Sequence, residues 1–127
     1  MTRTVAWAVF ALGLVHIAFG IIRFEVALTE AILEGFSGKF ASPEIRRTAF
    51  WFLMCGPLFM LVGHIAVHAV AIQDRRILKL IGLYMLSFSL VGVIAFPVSP
   101  IWAGLLLSLP LIAAGYGALP LSKSADT

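Results

Sequence analysis

The feature that most constrains this chain is a long uncharged run in its second half. Residues 80–122 form 43 consecutive positions without an Asp, Glu, Lys or Arg. A soluble domain of this size has too small an interior to bury so much continuous apolar sequence. Because one turn-like segment, Pro97-Val-Ser-Pro100, interrupts the run, the sequence predicts two membrane-spanning helices here, at residues 77–96 and 101–119.

The first half of the chain shows the same pattern twice. Thr4–Ile22 is 19 residues long with His16 as its only strongly polar residue, and Ala49–Ile72 is 24 residues long with only His64 and His68. A hydrocarbon core about 30 Å thick requires about 20 apolar residues in a helix, and both stretches meet that length. We therefore predict two further spans, at residues 4–22 and 49–72.

The composition is that of a membrane protein with no separate soluble domain. Hydrophobic residues make up 61% of the chain and charged residues 12%, and the mean hydropathy is +1.06. These values lie outside the range of globular proteins. We predict an all-α membrane protein with four transmembrane helices in an antiparallel bundle, forming a single domain over residues 1–127. Residues 35–42 are predicted to form a polar loop and residues 120–127 a disordered tail.

The charges indicate where the chain lies rather than what it does. The net charge of +3 is small, and the basic residues are scattered at the ends of spans, which argues against nucleic-acid binding and fits contact with lipid head groups. We predict a multi-pass protein of the cell membrane that contacts lipids, with a homo-oligomer or a partner membrane protein as open alternatives. Both termini are predicted to be cytoplasmic because that side then carries five basic residues against four, namely Arg3, Arg75, Arg76, Lys79 and Lys123.

Polar side chains of the first span and its extension share one helical face. At about 100° per residue, one quarter of the circumference contains Gly13, His16, Gly20, Arg23, Ala27, Glu30 and Glu34. A histidine near the middle of a membrane is expected to point into the bundle or a wet cavity rather than at lipid. The candidate catalytic residues are His16, Glu30 and Glu34. The alternative is that His16 only hydrogen-bonds a neighbouring helix and fixes its packing.

Two further histidines, His64 and His68, lie four residues apart and therefore on one face of the second span. Neutral imidazoles at this spacing bind transition metals, but two ligands do not complete a site unless His16 supplies a third. Haem held between His16 and His64 is another alternative, without an attachment motif to support it. We predict neither a metal nor a cofactor, and we interpret His68 as an interfacial residue.

The second span begins with a basic and aromatic segment. Arg46 and Arg47 precede Ala49-Phe-Trp-Phe52, a pattern typical of a membrane boundary. The alternative is that Arg47 and Arg23 turn inward to meet Glu30 or Glu34 and bind an anionic head group or a carboxylate. On that alternative the candidate substrate-binding residues are Arg23, Arg47, Trp51 and His64.

At these residues the chain resembles an uncharacterised bacterial family of small four-span membrane proteins, known only as a domain of unknown function. The matching features are His16-x3-Gly20, Glu34-Gly-Phe36, Arg47-x-Ala-Phe-Trp-Phe-Leu53 with Gly56, and Pro97-Val-Ser-Pro100-Ile-Trp102. Pro100 replaces a glycine expected in that turn. The resemblance implies a four-helix fold in the bacterial inner membrane and no particular activity.

Three functions agree with these observations, and the sequence leaves open whether the protein is an enzyme. In the first, a polar site around His16 binds a lipophilic small molecule, or isomerises or cyclises it, with His16 transferring a proton and Glu30 or Glu34 as its partner. In the second, the chain is a non-catalytic accessory or scaffolding subunit. In the third, several copies assemble into a small transporter.

Overall fold

In a computed structural model of the chain, residues 1–121 are described, and no strand occurs among them. Short turns separate five helices, which are α1 (Thr2–Arg23), α2 (Glu25–Leu33), α3 (Glu44–Ala71), α4 (Arg75–Ala95) and α5 (Trp102–Gly115). The expected all-α class is confirmed for this part of the chain.

Three of these helices, not four, are long and apolar enough to cross a membrane: α1, α3 and α4. The segment predicted as the fourth span, residues 101–119, contains the 14-residue apolar helix α5. At 1.5 Å per residue α5 is about 21 Å long, which is less than a hydrocarbon core of about 30 Å. Its end is set by Gly117, whose φ of 87° turns the chain out of the helix.

Helices α1 and α3 pack against each other in antiparallel directions with their backbones in close contact. A methyl group added at Gly13 would lie 2.6 Å from the carbonyl oxygen of Gly56. Further along, Gly63 meets the backbone of Phe10, and Gly20 meets the ring of Phe52. The side chains between these glycines are therefore held at fixed positions across the α1–α3 interface.

Helices α4 and α5 form a second antiparallel pair. A methyl group on Gly82 would lie 2.8 Å from the backbone nitrogen of Ile112, and one on Gly104 would lie 2.7 Å from the Ser89 hydroxyl. The two pairs meet where α1 contacts α5 and where α3 contacts α4. Each helix of one pair therefore has a neighbour in the other.

The main apolar core lies at the end of the molecule where α1 begins. It includes Ala6, Val9, Ala69, Leu78 and Leu111, which come from α1, α3, α4 and α5. At the same end the Thr2 hydroxyl donates to the carbonyl oxygen of Pro120 at 2.9 Å, and Leu121 is buried. The remaining residues of the predicted tail, 122–127, lie outside the described residues.

The opposite end carries α2 and the predicted polar loop. The helix breaks at Phe24, and α2 then runs to Leu33, where Gly35 (φ 103°) and Phe36 (φ 61°) turn the chain. Turns connect it to α3, which begins at Glu44. This arrangement places the last turn of α2 beside the first turn of α3, where the charged site described below is found.

Candidate functional site

His16 lies at the α1–α3 interface, half-buried, and is bonded to the backbone. Its Nε2 is 3.0 Å from the carbonyl oxygen of Phe52, and because a carbonyl only accepts, the imidazole donates. The ring stacks on that of Phe52, with 4.0 Å between centroids, and meets Phe59 edge-on at 5.5 Å. His16 is thus oriented from two sides by α3.

This geometry assigns the single N–H of the neutral ring to a structural bond. His16 lines neither the depression bordered by Arg47, Trp51 and Cys55 nor the groove between α3 and α4. Through the hydrogen bond to Phe52, the His16 side chain joins α1 to α3.

Glu30 and Glu34 meet at one buried cation, Arg46. Its two terminal nitrogens bond both oxygens of Glu34, at 2.9 and 2.7 Å, and Nη2 also lies 3.2 Å from Glu30. Arg46 is only 6% exposed, whereas both carboxylates are about half exposed. The Arg46 Nε is buried without a partner among residues 1–121. We call Arg46, Glu30 and Glu34 the charged cluster.

The electrostatics of the charged cluster favour ionised carboxylates. The hydrogen bonds and the positive charge of Arg46 lower the pKa of Glu34, and Lys39, 3.9 Å away, acts in the same direction. A carboxylate held in this bidentate way is a poor proton donor near neutral pH. The cluster is therefore suited to fixing α2 against α3 rather than to acid–base chemistry.

The other basic candidates lie outside this cluster. Arg47 is exposed and pairs with Glu44 on its own helix at 3.4 Å, while Arg23 lies over the ring of Phe24 at 5.7 Å. The alternative in which Arg47 and Arg23 turn inward to meet the two glutamates does not match the contacts in the structure, because Arg46 bonds them instead. Trp51 is 63% exposed, as expected of a residue at a membrane boundary.

A sequence signal for Arg46 existed but was missed. The face of α3 that packs on α1 is marked by Ala49, Gly56 and Gly63, all buried. At 100° per residue Arg46 lies within about 60° of Ala49, whereas Arg47 lies on the far side. The periodicity of the small residues therefore indicates that Arg46, and not Arg47, lies near the face of α3 that packs on α1.

His64 and His68 are both exposed on the outer surface of α3. His64 meets Phe10 edge-on, with 6.3 Å between ring centroids, while His16 contacts a different part of the helix. The three histidines are thus not brought into one site. Among residues 1–121, no group of three His, Cys, Asp or Glu side chains is close enough to hold a metal ion.

An apolar groove, which sequence reasoning did not predict, runs between α3 and α4. It has a volume of about 390 Å³ and is lined by Phe59, Val62, Leu80, Ile81, Tyr84, Met85 and Phe88. Tyr84 is 76% exposed, and its hydroxyl bonds to none of the residues that the structure describes. Tyr84, near the middle of α4, is the one lining residue whose side chain carries a polar group, and the surface of the groove is almost entirely apolar.

Comparison with known proteins identifies a family but no activity. Residues 1–117 match a family of unknown function, DUF6463. No curated protein and no solved structure matches the chain. The resemblance to an uncharacterised domain family is thereby confirmed over most of the chain.

Proposed function

We propose a function for this chain, which belongs to the DUF6463 family of unknown function, from its own geometry. The protein is an integral membrane protein that crosses the bilayer four times as an antiparallel helical bundle with both termini on the cytoplasmic side. It binds a lipophilic small molecule, without chemical conversion, in the groove between α3 and α4.

Four crossings are supported by the course of the chain around α5. Gly115 packs against Lys79 near the start of α4, and Gly92 packs against Ile101, just before α5. The segment after α5 continues to Pro120, whose carbonyl bonds Thr2 at the start of α1. The short helix and its flanking turns thus return the chain to the end at which it began.

The observation that carries the binding proposal is the unpaired hydroxyl of Tyr84, an exposed residue whose side chain helps to line the apolar groove. Tyr84 lies about 13 Å along α4, close to its midpoint. A hydroxyl without a hydrogen bond in hydrocarbon costs roughly 2–7 kcal/mol, depending on the reference state. A bound molecule with an apolar body and one polar group would satisfy the phenol and fill the groove, whose volume lies in the usual range for ligand sites.

The proposal leaves out the isomerisation or cyclisation considered for His16. That chemistry needs a substrate next to the imidazole, whereas the Nε2–H of His16 is hydrogen-bonded to the Phe52 carbonyl and the ring does not line the groove. Transport is also less well supported, because the polar face that would line a path lies between α1 and α3, where Gly13 and Gly56 touch.

An accessory subunit is the second candidate, and the same groove favours it. A helix of a partner membrane protein would cover the aromatic side chains of α3 and α4, and its polar side chain would bond Tyr84. The two candidates differ in what copurifies with the chain, a small molecule or a protein.

The test is native mass spectrometry of the full chain extracted in a mild detergent, followed by chromatography and mass spectrometry of an organic extract. We expect a small lipophilic molecule at close to one per chain. Tyr84→Phe removes only the hydroxyl and should weaken the affinity for the molecule about 5–10-fold, the equivalent of one hydrogen bond of about 1 kcal/mol. Val62→Trp should abolish binding by filling the groove.

Tyr116→Phe is the matched control, because Tyr116 is exposed at the end of α5 beside Lys79 and outside the groove. It should leave occupancy unchanged. Identical spectra without a bound molecule for wild type and Val62→Trp would refute the binding proposal. A copurifying protein that Val62→Trp displaces would establish the accessory role instead.

A further inference from the structure

The pair His64 and His68 is the polar feature of the outer surface that the proposed function does not use. Both side chains are exposed on one face of α3, and neither bonds to any of the residues that the structure describes. Residues four apart on a helix have their Cβ atoms about 6 Å apart, so both imidazoles can reach one ion. The pair is a two-ligand chelate on the outside of the protein.

The surroundings of the pair make its polarity unusual. Leu61 and Ile65 are exposed on the same side of α3, as expected of a surface that faces lipid. His68 lies in the last turn of the helix, and His64 lies one turn deeper. Placing an imidazole among lipid-facing apolar side chains costs free energy unless the ring has a hydrogen-bond partner or a metal ion. Polar residues in such positions mark functional sites.

We propose that His64 and His68 form half of a metal site, which a second copy of this chain completes around a divalent transition metal of the Zn²⁺ type. Four imidazoles would then surround the ion tetrahedrally, at nitrogen–metal distances of about 2.0–2.1 Å. Imidazole nitrogen suits Zn²⁺ and its neighbours, whereas Mg²⁺ and Ca²⁺ prefer oxygen. One chain supplies two ligands, in keeping with the absence of a three-ligand group in residues 1–121.

The second copy follows from the geometry of membrane insertion. Two copies inserted in one membrane with the same orientation place equivalent residues at the same depth. Rotation about an axis normal to the membrane therefore brings each histidine pair to face its own equivalent, which is an isologous contact. A different partner would need its own histidine or cysteine ligands at that depth.

Two local features favour a cation at this place. The pair lies near the carboxyl end of α3, where the helix dipole is negative. The edge-on contact with Phe10 restrains the ring of His64, so less freedom is lost when it binds. The site is separate from the groove, because neither histidine lines it.

The test adds Zn²⁺ or Co²⁺ to the metal-free full chain in detergent and measures stoichiometry by native mass spectrometry. We expect one Zn²⁺ per two chains, a metal-bound dimer, and reversal of both by EDTA. Co²⁺ should give the strong visible absorption of four-coordinate geometry, because two imidazoles with four waters would give only a weak octahedral spectrum. His64→Gln or His68→Gln removes two of the four ligands of the dimer and should weaken metal binding at least about 100-fold. Substituting a residue that only hydrogen-bonds a metal ligand already lowers metal affinity by up to about 100-fold.

His16→Gln is the matched control, because His16 lies at the α1–α3 interface, and it should leave the metal stoichiometry unchanged. EDTA treatment of the wild type tests the dimer without any substitution. The proposal is overturned by one metal per monomer, by a weak octahedral Co²⁺ spectrum, by no binding, or by binding that survives both His→Gln changes.

Discussion

The two helix pairs, α1–α3 and α4–α5, are both closely packed through glycines, but their polar side chains form different hydrogen bonds. Each brings glycines against a neighbouring backbone. In α1–α3 the polar groups bond across the interface, as His16 does to Phe52. In the middle of α4–α5 the buried hydroxyl of Ser108 bonds the Leu105 carbonyl of its own helix, at 2.6 Å. The side-chain bond that crosses this pair lies at its end, where Arg75 Nη1 donates to the Ala114 carbonyl oxygen at 2.7 Å.

This difference predicts which substitutions each pair tolerates. In lipid, apolar side chains gain little by leaving the solvent, so close packing and hydrogen bonds between helices carry the association. Substitutions that add a side chain at these glycines should therefore destabilise either pair wherever the added atoms meet the backbone of the neighbouring helix. Changes that remove only a polar bond in the middle of a pair should destabilise α1–α3 alone, because the bond between α4 and α5 lies at the end of that pair.

The largest effect is expected from Gly13→Ala. The added methyl group would lie 2.6 Å from the Gly56 carbonyl oxygen and 2.7 Å from the Met60 nitrogen, and neither backbone atom can move freely. We expect a loss of about 3 kcal/mol, at the upper end of the overpacking range. Unfolding of the purified protein by added SDS, followed by circular dichroism, measures it.

Gly104→Ala is the control in the other pair. Its methyl group would meet the Ser89 hydroxyl at 2.7 Å, and that side chain can rotate away. The cost should be below about 1 kcal/mol, since alanine is also the better helix former. Equal losses for the two variants would mean that backbone contact does not distinguish these sites.

The second effect, smaller than the first, is expected from Arg46→Met. It removes the buried cation that holds Glu30 and Glu34 and leaves the last turn of α2 without its bond to α3. Arg47→Met, one residue away, removes only an exposed pair with Glu44 and should cost less than about 0.5 kcal/mol. We expect a loss several times larger for Arg46, measured by SDS unfolding and by faster proteolysis between α2 and α3.

If Arg47→Met proved as costly as Arg46→Met, the charged cluster would not be what secures α2. Glu34→Gln provides a second test, because it removes the bidentate partner while leaving the guanidinium in place. Its effect should lie between those of the two arginine variants.

The long helices were predictable because charged residues mark their ends. Arg23 ends α1, and Asp74 caps α4, accepting from the nitrogens of Arg76 and Ile77. In the uncharged run after Lys79 no charge marks where a helix stops. The shortening of α5 depends on the backbone turn at Gly117, which an apolar run does not reveal.

The candidate site was only partly predictable, because it depends on how the helices are rotated. The polar face of α1 and α2 was recognised from periodicity, and Gly13, Gly20 and Ala27 are buried on it. Which of two adjacent arginines meets that face depends on the rotation of α3. The exposure of Tyr84 likewise follows from packing, since a uniformly apolar helix does not show which side faces outward.

The third effect is expected from His16→Phe, which keeps an aromatic ring beside Phe52 and Phe59 but removes the bond to the carbonyl. The loss should be about 0.6–1 kcal/mol, the range for hydrogen bonds between helices in a membrane protein. Ser108→Ala is the counterpart in α4–α5 and should cost almost nothing across the interface, because its bond lies within one helix. SDS unfolding compares them, and a larger loss for Ser108→Ala would reverse the contrast between the pairs.

The smallest effect is a dependence on pH that originates in the charged cluster. Arg46 lowers the pKa of Glu34 from its ordinary value of 4.5, so the folded protein binds a proton at this site less readily than the unfolded chain. The stabilisation is therefore complete above about pH 4.5 and is lost as the pH falls through the lowered pKa. We expect wild type to lose stability on acidification through this window and Glu34→Gln to lose less.

Glu25→Gln is the control, because Glu25 forms no ion pair with the residues that the structure describes. A parallel acid dependence in wild type and Glu34→Gln would place the responsible carboxylate elsewhere in the chain.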